Sequence, residues 1–80
     1  MKYSYYFNEQ VLSLGYRIHN VVCKFHVCYS FGVERVYEGR VSSIWALARA
    51  LRARLGRDGS IFDVSVYLPG GVLLCECGRF

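Results

Sequence analysis

Cys28 and His26 lie two residues apart, with Lys24 two further back. In a strand that spacing places all three on one face. A thiol flanked by an imidazole and an ammonium is an arrangement that can activate a cysteine nucleophile. The competing reading is a polar strand face turned to water. The stretch carries no local signature of a cysteine enzyme, so the polar-face reading weighs more. The carboxylates are Glu9, Glu34, Glu38, Asp58, Asp63 and Glu76. Glu34 and Glu38 fall on one strand face. Asp63 and Glu76 are expected to oppose each other on the outward side of the last hairpin. General acid–base work needs a cleft that shifts a pKa. A short chain with one helix seldom forms one, so a solvated face is expected for all six. There is no P-loop, no G-x-G-x-x-G and no H-E-x-x-H.

Cys23, Cys28, Cys75 and Cys77 complete the thiols. Zinc needs four ligands converging on one point, usually from C-x2-C knuckles. C-x4-C and C-x-C inside β-like runs fit that poorly, so no metal and no other cofactor is expected. Free cysteines pack as small hydrophobes. The N-terminal Met1-Lys2-Tyr3-Ser4-Tyr5 is too polar for a secretory signal. No apolar run approaches the roughly 18 residues of a membrane span. The expectation is a cytoplasmic protein with reduced thiols and no membrane contact.

The strongest binding chemistry lies between Ile44 and Arg57, which holds Trp45, Arg49, Arg52, Arg54 and Arg57 and no acidic residue. At 100° per residue, Trp45, Arg49 and Arg52 share one flank of a helix. Ala46, Ala50 and Ala53 make a smooth back that Arg57 extends, and Arg54 lies on the other flank. Cations near a helix C-terminus also complement its dipole, and Trp45 could simply pack at the rim under Arg49. Yet Trp and Arg are the residues enriched at binding hot spots. Trp45, Arg49, Arg52 and Arg57 are therefore candidate partner-binding residues. Tyr3 and Tyr5, in an N-terminal run with Tyr6 and Phe7, are a second candidate surface, because tyrosine offers contact area at low entropy cost. With Arg17 and Lys24 these rings could instead stack bases, although the glycine–aromatic signature of RNA-binding sheets is absent.

These side chains need a scaffold, and 80 residues allow one domain, 1–80. The hydrophobic fraction of 54% excludes a disordered tail. The net charge of +4 excludes a protein that imitates nucleic acid with a carpet of carboxylates. Short β-rich runs appear at Tyr3 to Phe7, Val11 to Ile18, Val21 to Ser30, Val33 to Tyr37, Ile61 to Leu68 and Val72 to Cys77. Val21, Cys23, Phe25, Val27 and Tyr29 alternate cleanly with more polar neighbours. Phe62, Val64, Val66 and Leu68 form one apolar face, to be joined by Leu73, Cys75 and Cys77 across Pro69-Gly70-Gly71. One helix, about residues 43–55, follows from the stripe of Ile44, Leu47, Ala48, Leu51 and Leu55. A serine caps it at 42 or 43, and Gly56 is expected to end it. The class is α+β: an antiparallel sheet of four to six strands with one α-helix packed on one face.

In size, in this architecture and in lacking a catalytic motif, the chain resembles the small anti-CRISPR inhibitors of phages and mobile elements. No functional residue aligns. The resemblance implies a non-enzymatic protein that docks stoichiometrically on a CRISPR effector subunit, type I first, and blocks DNA binding or cleavage. Its basic charge sets it apart from members that imitate DNA, so its arginines would meet an acidic protein patch, guide RNA or target DNA. The alternative is a small basic nucleic-acid-binding protein. Either would be a monomer or a weak homodimer.

Overall fold

A computed structural model describes residues 3–13 and 18–79, with the side chains of residues 3–5, 12 and 79 outside the description. The elements are β1 (Tyr3–Phe7), α1 (Glu9–Ser13), β2 (Val21–Tyr29), β3 (Glu34–Val41), α2 (Ile44–Arg57), β4 (Ile61–Tyr67) and β5 (Leu73–Arg79). The five strands form one antiparallel sheet in the order β1-β5-β4-β2-β3. This is the expected α+β class, with one main helix.

The stretch from Val11 does not form the expected strand. Asn8 Oδ1 accepts from the backbone N–H of Gln10 and Val11 at 3.1 and 3.4 Å and starts the short α1 instead. An asparagine cap supplies the acceptor that the first helical turn lacks. The rest of that run, residues 14–17, lies outside the described residues.

α2 begins as its sequence indicates. Ser43 Oγ accepts from Ala46 N–H at 3.1 Å. Leu47, Leu51 and Leu55 turn inward and are buried. The C-terminus differs from expectation, because the helix runs through Gly56 to Arg57 and the cap is Asp58. Asp58 N–H donates to the Arg54 carbonyl at 3.0 Å. Its carboxylate accepts from Ser60 N–H and Oγ. That aspartate turn redirects the chain into β4, so no left-handed glycine is required.

β2 keeps the alternation read from its sequence. Cys23 and Val27 are buried and Phe25 half-buried on the α2 side, while Lys24, His26 and Cys28 share the other face. Two bulges correct the last hairpin. Cys28 pairs with Asp63 but Tyr29 pairs with Ile61, so Phe62 is skipped and turned outward, 57% exposed. Ile61 takes the core position. On β5, Val66 pairs with Cys75 but Tyr67 pairs with Leu73, so Leu74 is skipped. Leu74 is buried in place of the expected Leu73, which is only half-buried. An extra residue in one strand reverses the parity of everything beyond it.

Leu68 N–H donates to Val72 C=O at 2.8 Å across Pro69, Gly70 and Gly71, and Gly71 N–H returns to Leu68 C=O at 3.0 Å. Gly70 and Gly71 have φ of 95° and 87°, which only glycine adopts without strain. The core therefore lies between α2 and one sheet face. Leu47, Leu51 and Leu55 pack with Val64, Val66, Leu74, Cys75 and Cys77 there. No described helix is long and apolar enough to cross a membrane.

Candidate functional site

The helix stripe that anchors α2 also fixes what it presents to water. With Leu47, Leu51 and Leu55 against the sheet, positions 45, 49 and 52 point away from it. Trp45 is 81% exposed, so it does not pack at the rim of the core. Arg49 and Arg52 are exposed along the same ridge. An indole held in water at the first turn of a helix is a large apolar surface that none of the described residues covers. It is flanked by the guanidinium groups of Arg49 and Arg52.

Arg57 lies on the opposite flank of α2. With Arg54 and Ala50 it lines a groove of about 390 Å³ between α2 and the sheet, floored by Phe25, Val27 and Tyr37. Beside the groove, the neighbouring Tyr37 hydroxyl chiefly holds the Tyr29 phenol above its ordinary pKa, and desolvation adds to the shift. Phe31 stacks on Tyr29 with ring centroids 5.3 Å apart. The grouping of Arg54 and Arg57 with these aromatic residues was missed by the sequence reading. Its members come from three elements and meet only because β3 pairs beside β2. A faint signal was present in the strict alternation of Phe25 and Val27 with polar neighbours.

Tyr3 and Tyr5 stand opposite Arg79 and Cys77 in the β1–β5 ladder, and their side chains lie outside the described residues. β1 is the sheet edge opposite β3. Tyr6, opposite Glu76, is exposed. The N-terminal aromatic run and the basic groove beside β3 are thus on separate edges of the sheet.

The face of the sheet away from α2 gathers the groups that sequence spacing offered for catalysis. His26 Nδ1 lies 3.1 Å from Glu34 Oε1, and the ring stands edge-on to Tyr67 at 4.8 Å. The imidazole is therefore engaged by a carboxylate and a phenol ring. Burial raises the Cys28 thiol pKa, and the negative charges of Glu34, Asp63 and Glu76 raise it further. An activated nucleophile needs the opposite environment.

Asp63 and Glu76 share this face but do not oppose each other as expected. Asp63 pairs with Gly78, and Glu76 stands opposite Ser65. They meet diagonally. The Ser65 hydroxyl donates to Glu76 Oε2 at 3.2 Å and lies 3.5 Å from Asp63 Oδ2. Partial burial, then the charge of Glu76 and a hydrogen bond with it, lift Asp63 to about 6. The carboxylate face is thus not uniformly solvated, contrary to the sequence reading.

A wide depression of about 690 Å³ lies beside this cluster, lined by Lys24, His26, Glu38 and Tyr67 and by the Pro69-Gly70-Gly71 turn. Cys23, Cys75 and Cys77 sit on the core face, and burial pushes Cys75 up to about 12, with Cys77 and Cys23 adding to the shift. No group of three or more potential metal ligands converges among the described residues. Compared with protein-family models, curated proteins and solved structures, the chain matches none.

Proposed function

We propose that this chain is a non-enzymatic binding protein that grips its partner with the solvent face of α2. The observation that carries the reading is Trp45, 81% exposed on a ridge with Arg49 and Arg52 and no acidic residue between Ile44 and Arg57. A solitary indole amid arginines matches the composition of interface hot spots. Its natural complement is an acidic protein patch with an apolar pocket. In the particular form that size and architecture suggest, the partner is a CRISPR effector, a type I complex first. The bound protein blocks target DNA binding or cleavage there, in the manner of phage and mobile-element anti-CRISPR inhibitors, and acts in the cytoplasm of the host cell.

The test is a DNA-binding assay on purified type I effector with and without the protein. Inhibition at one-to-one stoichiometry is expected. Trp45→Ala and Arg49→Ala should each weaken it by more than about 1 kcal/mol while leaving the melting temperature unchanged. Full inhibition by both folded variants removes the α2 face from the reading. No effect of the wild-type protein on any effector removes the anti-CRISPR form of it.

A second reading rests on the groove beside α2. Arg54 and Arg57 over Phe25 and Tyr37 combine charge with aromatic surface, the pairing that holds single-stranded nucleic acid. Filter binding of labelled oligonucleotides separates the two readings. Nucleic-acid affinity falls steeply with salt through counterion release, whereas an aromatic-anchored protein interface weakens less. Absence of binding at low salt eliminates the second reading.

A further inference from the structure

β3 forms one edge of the sheet, and among the described residues no strand pairs with its outer side. It runs eight residues without proline, and its register with β2 is unbroken. Tyr29 N–H donates to Val33 C=O at 2.8 Å. The alternation of an antiparallel ladder then aims the N–H and C=O groups of Glu34, Val36, Glu38 and Arg40 away from β2. A long, straight edge of this kind is a template for another strand. Val36 and Tyr37 are exposed on it, Phe31 and Val33 are exposed in the turn that leads into it, and Val22 is exposed on the neighbouring β2.

We propose that β3 is a homodimer interface, pairing antiparallel with β3 of a second copy about a two-fold axis through Tyr37. An axis perpendicular to the sheet joins the two sheets into one and keeps both α2 helices on the same side. It also pairs residues of equal parity. Centred on Tyr37, it sets Glu34 against the partner's Arg40 at both ends. Val36 lies against the partner's Glu38. Tyr37 meets its own symmetry mate in a non-hydrogen-bonded pair, where facing side chains approach most closely. Neighbouring registers are worse. Centring on Val36 sets Glu34 against Glu38, and centring on Glu38 sets two glutamates face to face. Centring on Gly39 also sets Glu38 against the partner's Arg40, but it joins only residues 37–41 of each strand, whereas the Tyr37 axis joins residues 34–40 with opposite charges at both ends.

This interface is independent of the α2 ridge, so its failure leaves the proposed function untouched. Sedimentation equilibrium over a concentration series tests it. The wild-type chain should approach twice its 9.2 kDa mass. Glu34→Arg alone and Arg40→Glu alone each place like charges at both ends. Each should weaken dimerisation about tenfold or more. Mixed in equal amounts, the two variants should pair with each other and regain the dimer. Val36→Pro removes only an outward N–H, so it should leave the circular dichroism unchanged and give a monomer. A wild-type monomer at every concentration, a dimer indifferent to both reversals, or a folded Val36→Pro dimer overturns the proposal.

Discussion

The two faces of the sheet use the same residue types to opposite ends. On the face under α2, Cys75 and Cys77 are buried among Val64, Val66 and Leu74, and burial alone dominates the upward shift of the Cys75 thiol. On the open face Cys28 is also held protonated, but neighbouring carboxylates add to the effect. One face is uniform and dry. The other is a mosaic of His26, Glu34, Ser65, Asp63 and Glu76, each held by a hydrogen bond or a neighbouring charge. α2, more than strand composition, separates core from exposed surface. Whatever it covers becomes core, and its own back becomes the exposed ridge.

The largest break in that contrast is expected under the helix. Leu55 has no exposed surface. Leu55→Ala should cost about 2–5 kcal/mol by chemical denaturation, as large-to-small core substitutions do. A loss below about 1 kcal/mol would mean that α2 is not the lid of the core. Phe62→Ala, on the bulge that faces water, should change stability by no more than about 1 kcal/mol in the same assay.

A smaller effect is expected on the open face. Asp63 is raised to about 6 in the folded protein, above its ordinary value of 3.8. The folded state therefore holds a proton that the unfolded state has released. Stability from this group is fully present below about pH 4 and is lost as pH rises through about 6. Asp63→Asn should flatten this dependence and stabilise the protein at neutral pH. Exposure to solvent limits the gain to about 1 kcal/mol or less. A wild-type melting temperature that rises from pH 4 to pH 7, with the variant following in parallel, would refute the assignment.

The finest comparison is kinetic. With iodoacetamide at neutral pH, Cys28 should react first but more slowly than free cysteine, because its thiolate is disfavoured. Cys23, Cys75 and Cys77 should react only in denaturant, because they are buried. Intact-mass spectrometry over time resolves the two classes. Rapid single-site labelling would instead reveal an activated thiolate.

Much of this was legible in the residues. The leucine stripe and Ser43 marked α2, and period-two alternation marked both faces of β2. The stripe also set Trp45, Arg49 and Arg52 together on one flank, but whether Trp45 packs at the rim of the core stayed open until the structure showed it exposed. The failures have local causes. The Asn8 cap competed with β-propensity and produced α1 where a strand was expected. The bulges exchanged Phe62 for Ile61 and Leu73 for Leu74, because one skipped residue inverts all later parity.

Strand order was beyond reach altogether. It decides that β3 is an edge, that Arg54 and Arg57 come to lie over Phe25 and Tyr37, and that Asp63 meets Glu76 diagonally. Neighbours three and four residues apart suffice for the helix, its buried stripe and its basic exterior, so these could be read along the chain. The groove, the carboxylate pair and the open edge arise only when the sheet assembles. Each joins residues far apart along the chain, whose distances are set by which strands pair and in what register.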